Sequence, residues 1–456
     1  MPKSFKIITL GCKVNQFESA YVSEALVRAG WRPARKGERA DAAIVNTCIV
    51  TQKAAYQSRQ AIRRIVRENP QGTIAAIGCY VQVFHHELSG IQGVDLLVDN
   101  TAKGQLPELL SNTAGSGGRR VVLKDFEPGM AFEPLKMARF TGRTRAFLKI
   151  QDGCQSFCSY CIVPFARGPY RSLSPAKVLF MVDCLAEQGY KEIVLTGIHL
   201  GKYGVDLEGE MNINRLLRAI GREKFPVRVR LSSLEPNEID ADLIEMVASE
   251  EWICRHFHIP LQSGDDRILK KMNRNYTAQE FARMIKSIRA KIPLAAIGID
   301  ILSGFPGEEA VAHRNTYSLI SDLPVSYLHV FPFSPRPGTA AAAFEGQVDP
   351  KVIKRRAAEL RKLGHGKRVL FYRSCLKKAF DVLIEGWHSE EKGMMRGISD
   401  NYLPVLLPSS HQQSRGQLIP VQIEGVEQNC VIGSLRVQAF PKGCFSCSPG
   451  PGNVGA

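Results

Sequence analysis

Residues 152–161 read Asp152-Gly153-Cys154-Gln155-Ser156-Phe157-Cys158-Ser159-Tyr160-Cys161, three thiols at Cys-x3-Cys-x2-Cys spacing. Thiolates are soft ligands that suit zinc, copper(I) or iron–sulfur iron. A closed structural zinc site takes four protein ligands, usually as two separated pairs. Only three stand here, and the next cysteine is the distant Cys184. Three thiolates on a four-iron cube leave one iron open for a substrate or cofactor. The plainer alternative is a zinc knuckle or a chance cluster. The apolar run Ala146-Phe147-Leu148-Lys149-Ile150 leads directly into the loop. That places the thiols at the carboxyl end of a strand, where barrels of alternating strands and helices carry their chemistry.

Downstream the alternation continues. Apolar runs fall at 192–197, 227–231, 256–260, 296–301 and 327–331, with helical stretches around 175–189, 212–222, 238–249, 277–290 and 308–322. About six such units make a partial or full (β/α) barrel the expected architecture. Upstream, strands at 5–10, 42–48 and 73–79 alternate with helices from about Glu18 to Ala29 and Thr51 to Glu68, the pattern of a doubly wound parallel sheet. Cys12, Cys48 and Cys79 each fall at the carboxyl end of one of these strands. In open parallel sheets those ends line the ligand crevice, so three thiols far apart in sequence can converge. A second cluster site is the sharper reading; three buried strand-end cysteines is the other.

Residues 111–120, Ser-Asn-Thr-Ala-Gly-Ser-Gly-Gly-Arg-Arg, have linker composition. Residues 351–370 form a basic helical connector carrying Lys351, Lys354, Arg355, Arg356, Arg361, Lys362, Lys367 and Arg368. Short strands at 379–385, 402–407 and 417–423 suggest a small all-β barrel of a kind that often carries RNA; a packing or dimerisation appendage is the alternative. The expected division is a first domain at 1–125, a linker at 126–141, a core at 142–370, a β-barrel at 371–438 and a Gly/Pro-rich flexible tail at 439–456. The tail's Cys444 and Cys447 have no visible partner pair.

With 456 residues, 44% hydrophobic and 23% charged, the chain reads as an ordinary globular protein of two or three domains. The apolar run behind the N-terminus is too short for a signal peptide, and no stretch approaches the length of a membrane span. A cytoplasmic location is expected, without membrane association. In a reducing compartment twelve cysteines favour metal binding or catalysis for the clustered ones. Isolated Cys184, Cys254, Cys375 and Cys430 read as buried small hydrophobes. The formal charge of +16 suits a polyanionic partner, nucleic acid first.

Taken together, these motifs resemble the radical S-adenosylmethionine (SAM) methylthiotransferases over nearly the whole chain to about residue 438. The resemblance is carried by Leu10-Gly11-Cys12-Lys13-Val14-Asn15-Gln16-Phe17-Glu18-Ser19, Val45-Asn46-Thr47-Cys48, Ile77-Gly78-Cys79-Tyr80 and the three-Cys loop. Leu195-Thr196-Gly197, Leu231-Ser232-Ser233-Leu234-Glu235-Pro236, Pro260-Leu261-Gln262-Ser263-Gly264, Gly304-Phe305-Pro306-Gly307-Glu308 and Phe333-Ser334-Pro335-Arg336-Pro337-Gly338-Thr339 extend it. The run after Cys12, with Gln60-Ala61-Ile62-Arg63-Arg64, resembles the branch that modifies N6-threonylcarbamoyladenosine next to the tRNA anticodon. Asp265 departs from the family pattern, where serine is commoner.

The resemblance implies two 4Fe-4S clusters, one on Cys154, Cys158 and Cys161 and an auxiliary one on Cys12, Cys48 and Cys79. It implies two SAM molecules per turnover: one cleaved to a 5′-deoxyadenosyl radical that abstracts hydrogen from C2 of the adenine, one methylating a sulfur on the auxiliary cluster. Cofactors supply such chemistry while the protein orients and shields. It implies a C-terminal RNA-binding barrel of the TRAM type and a flavodoxin- or ferredoxin-type electron donor; the sequence leaves the oligomeric state open, with a monomer favoured. Tyr160, Thr196, Ser232, Glu235, Gln262 and Asp300 are candidates for meeting SAM, each equally readable as a barrel-rim residue. His199 and His258 read as satisfied rim or core histidines, with polar pocket residues as the other reading. Arg167 and Arg171 face two readings, a carboxylate or phosphate contact and a solvated surface arginine. The alternatives are a methylthiotransferase acting on isopentenyladenosine tRNA or on a ribosomal-protein aspartate, and a non-catalytic, metal-containing RNA-binding protein.

Overall fold

Alternating apolar runs and amphipathic helices in the first 122 residues build one parallel sheet. The computed structural model describes residues 2–113, 118–127, 130, 143–409 and 414–435. Strands β1 (Ser4–Thr9), β2 (Arg32–Pro33), β3 (Ala42–Thr47), β4 (Thr73–Gly78), β5 (Leu96–Val98) and β6 (Arg120–Val122) stand in the order β2-β1-β3-β4-β5-β6, all parallel. β3 is buried at every position, as a strand covered on both faces must be. Helices α1 (Lys13–Arg28), α2 (Gln52–Glu68), α3 (Cys79–Ser89) and α4 (Leu106–Thr113) make the crossovers. Thr51 caps α2 by accepting from the Ala54 N–H.

Two sequence expectations need correction here. α1 begins at Lys13, five residues before the expected start, and α4 extends into the stretch read as a linker. At the start of α1 the buried apolar Val14 and Phe17 alternate with buried Asn15 and Glu18, which are held by polar partners and break up the apolar stripe. Residues 114–117 of that stretch, and 131–141 of the expected linker between domains, lie outside the described residues.

The second unit starts with β7 (Arg145–Lys149), which runs into a two-stranded ribbon, β8 (Gln151–Asp152) with β9 (Arg171–Ser172). The thiol loop and the short helix α5 (Val163–Arg167) lie between the ribbon strands. Then follow α6 (Pro175–Glu187), β10 (Glu192–Thr196), α7 (Ile213–Glu223), β11 (Arg228–Leu231), α8 (Ala241–Ser249) and β12 (His256–Gln262). α9 (Asp266–Lys271), α10 (Ala278–Lys291), β13 (Ala296–Ser303), α11 (Ala310–Asp322) and β14 (Tyr327–Pro332) complete it. The strands form two parallel sets, β11-β10-β7 and β12-β13-β14, joined by a parallel bridge between Val229 and Ile253. This is a six-stranded partial barrel. Asn212, Asp240 and Thr277 cap α7, α8 and α10 through their side chains.

α12 (Pro350–Ser374) packs along β14 and leads to a closed antiparallel-rich barrel. Its strands are β15 (Ala379–Ser389), β16 (Met394–Ser399), β17 (Pro404–Pro408), β18 (Leu418–Val426) and β19 (Val431–Leu435). β16 and β19 were not among the expected strands, since glycine and polar residues interrupt their alternation. Residues 436–456, with Cys444 and Cys447, lie outside the described residues.

The units interlock. Phe17 of α1 belongs to the apolar core of the six-stranded barrel, while Ile162 and Ala166, flanking the thiol loop, belong to the core of the N-terminal sheet. At the strand-start end of the barrel, Arg228 donates to the carbonyls of Asp381 (2.7 Å) and Ile398 (2.9 Å), and Arg230 to those of Asp400 (2.8 Å) and Ser399 (2.9 Å). Glu192 pairs with both arginines. The C-terminal barrel thereby floors the partial barrel.

Candidate active site

The strand order of the N-terminal sheet reverses between β1 and β3, the place where open parallel sheets bind ligands. Cys12 and Cys48 stand just past the carboxyl ends of these two strands, and Cys79 follows β4 and opens α3. The backbone at Gly11 has φ +94°, and a Cβ there would lie 2.7 Å from the Cys48 sulfur. Glycine is required for both reasons, and its absence of a side chain lets the Cys12 turn close onto Cys48. Cys48 and Cys79 are buried, while Cys12 is exposed. Burial pushes the Cys48 thiol up to about 12, and the neighbouring Cys79 and Cys12 add to the rise.

The loop carrying Cys154, Cys158 and Cys161 is set by Gly153, at φ +78°, whose Cβ would fall 1.7 Å from the Pro169 carbonyl oxygen. Burial and the thiols of Cys158 and Cys154 push Cys161 up to about 12. At Cys154 burial acts in the same direction, but the His199 contact outweighs it and lowers the thiol. His199 Nδ1 lies 3.5 Å from the Cys154 sulfur and 3.2 Å from Ser156 Oγ, and its Nε2 lies 2.7 Å from Glu238. Arg274 donates to the Cys158 sulfur (3.3 Å) and pairs with Glu235. Of the two readings of His199, the polar pocket residue holds, while Glu238 and Arg274 are site residues that the sequence did not reveal. A cavity of about 240 Å³ opens here, lined among others by Ser156, Cys158, Tyr170, His199, Glu235 and Arg274. A larger recess of about 580 Å³ lies at the barrel floor, remote from both thiol sets.

Among the described residues, neither thiol triplet has all three of its sulfurs within 4.8 Å of one another. One tetrahedral zinc with bonds near 2.3 Å needs its sulfurs about 3.8 Å apart. The all-sulfur donor sets fit iron–sulfur clusters.

The two thiol sets are joined by buried charge. Arg167, buried at the end of α5, donates to the Cys79 sulfur (3.1 Å), to Asn15 Oδ1 (2.7 Å) and to Glu18. Glu18 also holds Lys149 (2.9 Å) and Lys103, and Lys149 reaches Asp152 (3.0 Å), two residues before Cys154. Burial alone would raise the Glu18 carboxyl; Arg167, Lys103 and Lys149 overcome it and hold the group well below the usual range. Of the two readings offered for Arg167, the carboxylate contact holds. Arg171 joins the same group, 3.5 Å from Asp152.

The remaining candidates are dispersed along the barrel. Tyr160 packs edge-on against Phe305, with centroids 6.4 Å apart. Thr196 is buried at the end of β10, and Ser232 is buried with its hydroxyl unpartnered among the described residues. Gln262 ends β12 at a bulge with φ +62°. Asp300 stands 2.9 Å from His258 Nε2 and 3.3 Å from His329 Nδ1, while His258 Nδ1 meets Ser233 at 2.6 Å. Burial would raise Asp300, yet the two imidazoles hold it at about 2.

Residues 4–99 match the family described as Uncharacterized protein family UPF0004, and residues 148–319 match the Radical SAM superfamily. The threonylcarbamoyladenosine tRNA methylthiotransferase MtaB of Bacillus subtilis is 36% identical, over 91% of this chain and 92% of that protein. Its Aquifex aeolicus counterpart is 35% identical, over 87% and 95%. The tRNA-2-methylthio-N(6)-dimethylallyladenosine synthase of Moorella thermoacetica is 31% identical, over 92% and 96%. Among solved structures, the radical SAM methyltransferase TsrM of Kitasatospora setae shares the fold, with TM-score 0.57 and 15% identity over 75% of each chain. With a UPF0004 match and a Radical SAM match on one chain, and full-length relatives of this kind, the chain belongs to the radical-SAM methylthiotransferase family, a family of SAM- and iron–sulfur-dependent enzymes.

Proposed function

We propose that the protein methylthiolates C2 of N6-threonylcarbamoyladenosine next to the anticodon of tRNA. The observation that supports this reading is the buried charge network in which Arg167 contacts Cys79 of one thiol set and Asp152, two residues before Cys154 of the other. A reaction that must make a carbon radical and hand it sulfur needs both centres within reach of one base. The choice of base is supported by relatives: those at 36% and 35% identity carry the threonylcarbamoyladenosine name, the dimethylallyladenosine enzyme 31%.

In this proposal Cys154, Cys158 and Cys161 hold one 4Fe-4S cluster and Cys12, Cys48 and Cys79 a second. When bound, these clusters and SAM supply the reductive radical chemistry and the methylthio group. The chain orients them. Arg274 and His199 fix the Cys158 and Cys154 sulfurs, and Arg167 fixes that of Cys79. Residues 1–125 serve as the sulfur-donating domain, 142–370 as the SAM core and 371–438 as an RNA-binding barrel of the TRAM type, with 126–141 as linker. A flavodoxin- or ferredoxin-type donor supplies electrons, and work on tRNA places the enzyme in the cytoplasm. Among the described residues no helix is long and apolar enough to cross a membrane.

The test is anaerobic reconstitution with iron and sulfide, followed by incubation with SAM, reductant and tRNA carrying threonylcarbamoyladenosine. Nucleoside mass spectrometry is expected to show the 2-methylthio derivative. C158A should lose both product and 5′-deoxyadenosine, whereas C48A should lose product and keep 5′-deoxyadenosine. Deoxyadenosine from the wild type without modified RNA would overturn the substrate reading.

A further inference from the structure

Successive side chains of a strand point to opposite faces. In β12, β13 and β14, one set, with Phe257, Ile259, Ile297, Ile299 and Ile301, belongs to the apolar core. The other face carries His258 on β12, Asp300 on β13 and His329 on β14. The parallel register sets Asp300 opposite His329, and His258 opposite Gly298, two residues before Asp300 on the same face. Gly298 leaves room for this arrangement, since a Cβ there would fall 2.0 Å from the Tyr327 ring. That ring in turn stacks on His258, with centroids 6.3 Å apart and planes 10° from parallel.

One donor atom from each of His258, Asp300 and His329 lies within 4.8 Å of the other two. Asp300 Oδ1 stands 2.9 Å from His258 Nε2 and 3.3 Å from His329 Nδ1. An ion with bonds of about 2.1 Å spaces neighbouring ligands by roughly 3.0–3.4 Å, from octahedral to tetrahedral geometry. The shorter contact is not a hydrogen bond: His258 Nε2 and Asp300 Oδ1 are both buried atoms without a hydrogen-bond partner among the described residues. Buried polar atoms are normally paired, and one cation would satisfy both of these. The other ring nitrogen of His258 lies 2.6 Å from Ser233 Oγ, the kind of outer contact that fixes the orientation of a ligating imidazole. His329 is half-exposed, so solutes reach the group from its side.

We propose that His258, Asp300 and His329 form a site for one divalent first-row metal ion, zinc foremost. Two imidazoles and a carboxylate are the donor set of open zinc sites, whose fourth position takes water or a ligand oxygen. The site contains no sulfur and shares no residue with either thiol set. It depends neither on the clusters nor on the identity of the RNA base.

The test equilibrates the reconstituted full-length enzyme with one equivalent of zinc chloride, desalts it, and counts zinc and iron. Zinc K-edge absorption then reads the ligand shell. The wild type is expected to retain about one zinc per chain, with nitrogen and oxygen neighbours at about 2.0–2.1 Å and no sulfur near 2.3 Å. H329A and D300N should each weaken zinc binding at least about tenfold, and S233A by about tenfold, with iron content as in the wild type. Because His329 is half-exposed, H329A leaves the packing intact and decides the matter should D300N fold poorly. A wild type that retains no zinc, zinc in a sulfur shell, or zinc held by H329A as tightly as by the wild type would overturn the proposal.

Discussion

Arg167 shows how much one side chain decides in this molecule. Its guanidinium contacts a sulfur of one thiol set, two residues of α1 and, at 3.5 Å, the aspartate at the base of the other thiol loop. A planar fork with five donors can do this; a lysine cannot. Removing one member of a buried ion network leaves the others uncompensated and costs about 3–5 kcal/mol. R167Q should therefore lower the thermal midpoint of the metal-free protein, with R167K intermediate, as followed by circular dichroism. A variant melting with the wild type would mean that the network is not holding the seam. None of this was legible from spacing. The sequence left Arg167 between a surface residue and a carboxylate contact, because its partners lie some 150 positions upstream. Asn15 and Glu18 were visible in the run after Cys12 but had no assigned work. The structure explains their presence: Asn15 ties the Cys12 turn to Thr47 and accepts from Arg167, and Glu18 gathers three cations.

At the scale of elements, the sequence was most informative where burial and turn chemistry act locally. The parallel strands ending at the cysteines, and the helices between barrel strands, follow from apolar runs and side-chain caps. The start of α1 was missed because buried Asn15, Glu18 and Ser19 interrupt the apolar positions Val14 and Phe17, and β16 and β19 because closure of a small barrel depends on pairing between distant segments. The floor of the six-stranded barrel depends on Glu192. Burial would raise this carboxyl, but Arg230 and Arg228 overcome the effect and lower it to about 2. Its unfolded value is about 4.3. A depressed folded value gives stability that is present above about 4.3 and is lost as pH falls through about 2. The expected contribution is about 3 kcal/mol. Urea unfolding at neutral pH and at pH 3 should show E192Q less stable than wild type at neutral pH, with a smaller gap in acid. A gap that stays constant would contradict this assignment.

For the whole molecule, the three units act as one because each is fastened to the barrel by a different means. The N-terminal sheet exchanges apolar side chains with it and shares the Arg167 network; the C-terminal barrel accepts its arginines at the floor. The same network links Cys79 of one thiol set to Asp152, beside the other. The account stands or falls on two clusters of separate ligation. The most direct measurement is iron content with Mössbauer spectra of the anaerobically reconstituted wild type and of two triple variants, C12A/C48A/C79A and C154A/C158A/C161A. The account predicts about eight irons per chain in the wild type and about four in each variant, all as 4Fe-4S. Unchanged iron on loss of Cys12, Cys48 and Cys79, or zinc in their place, would contradict it.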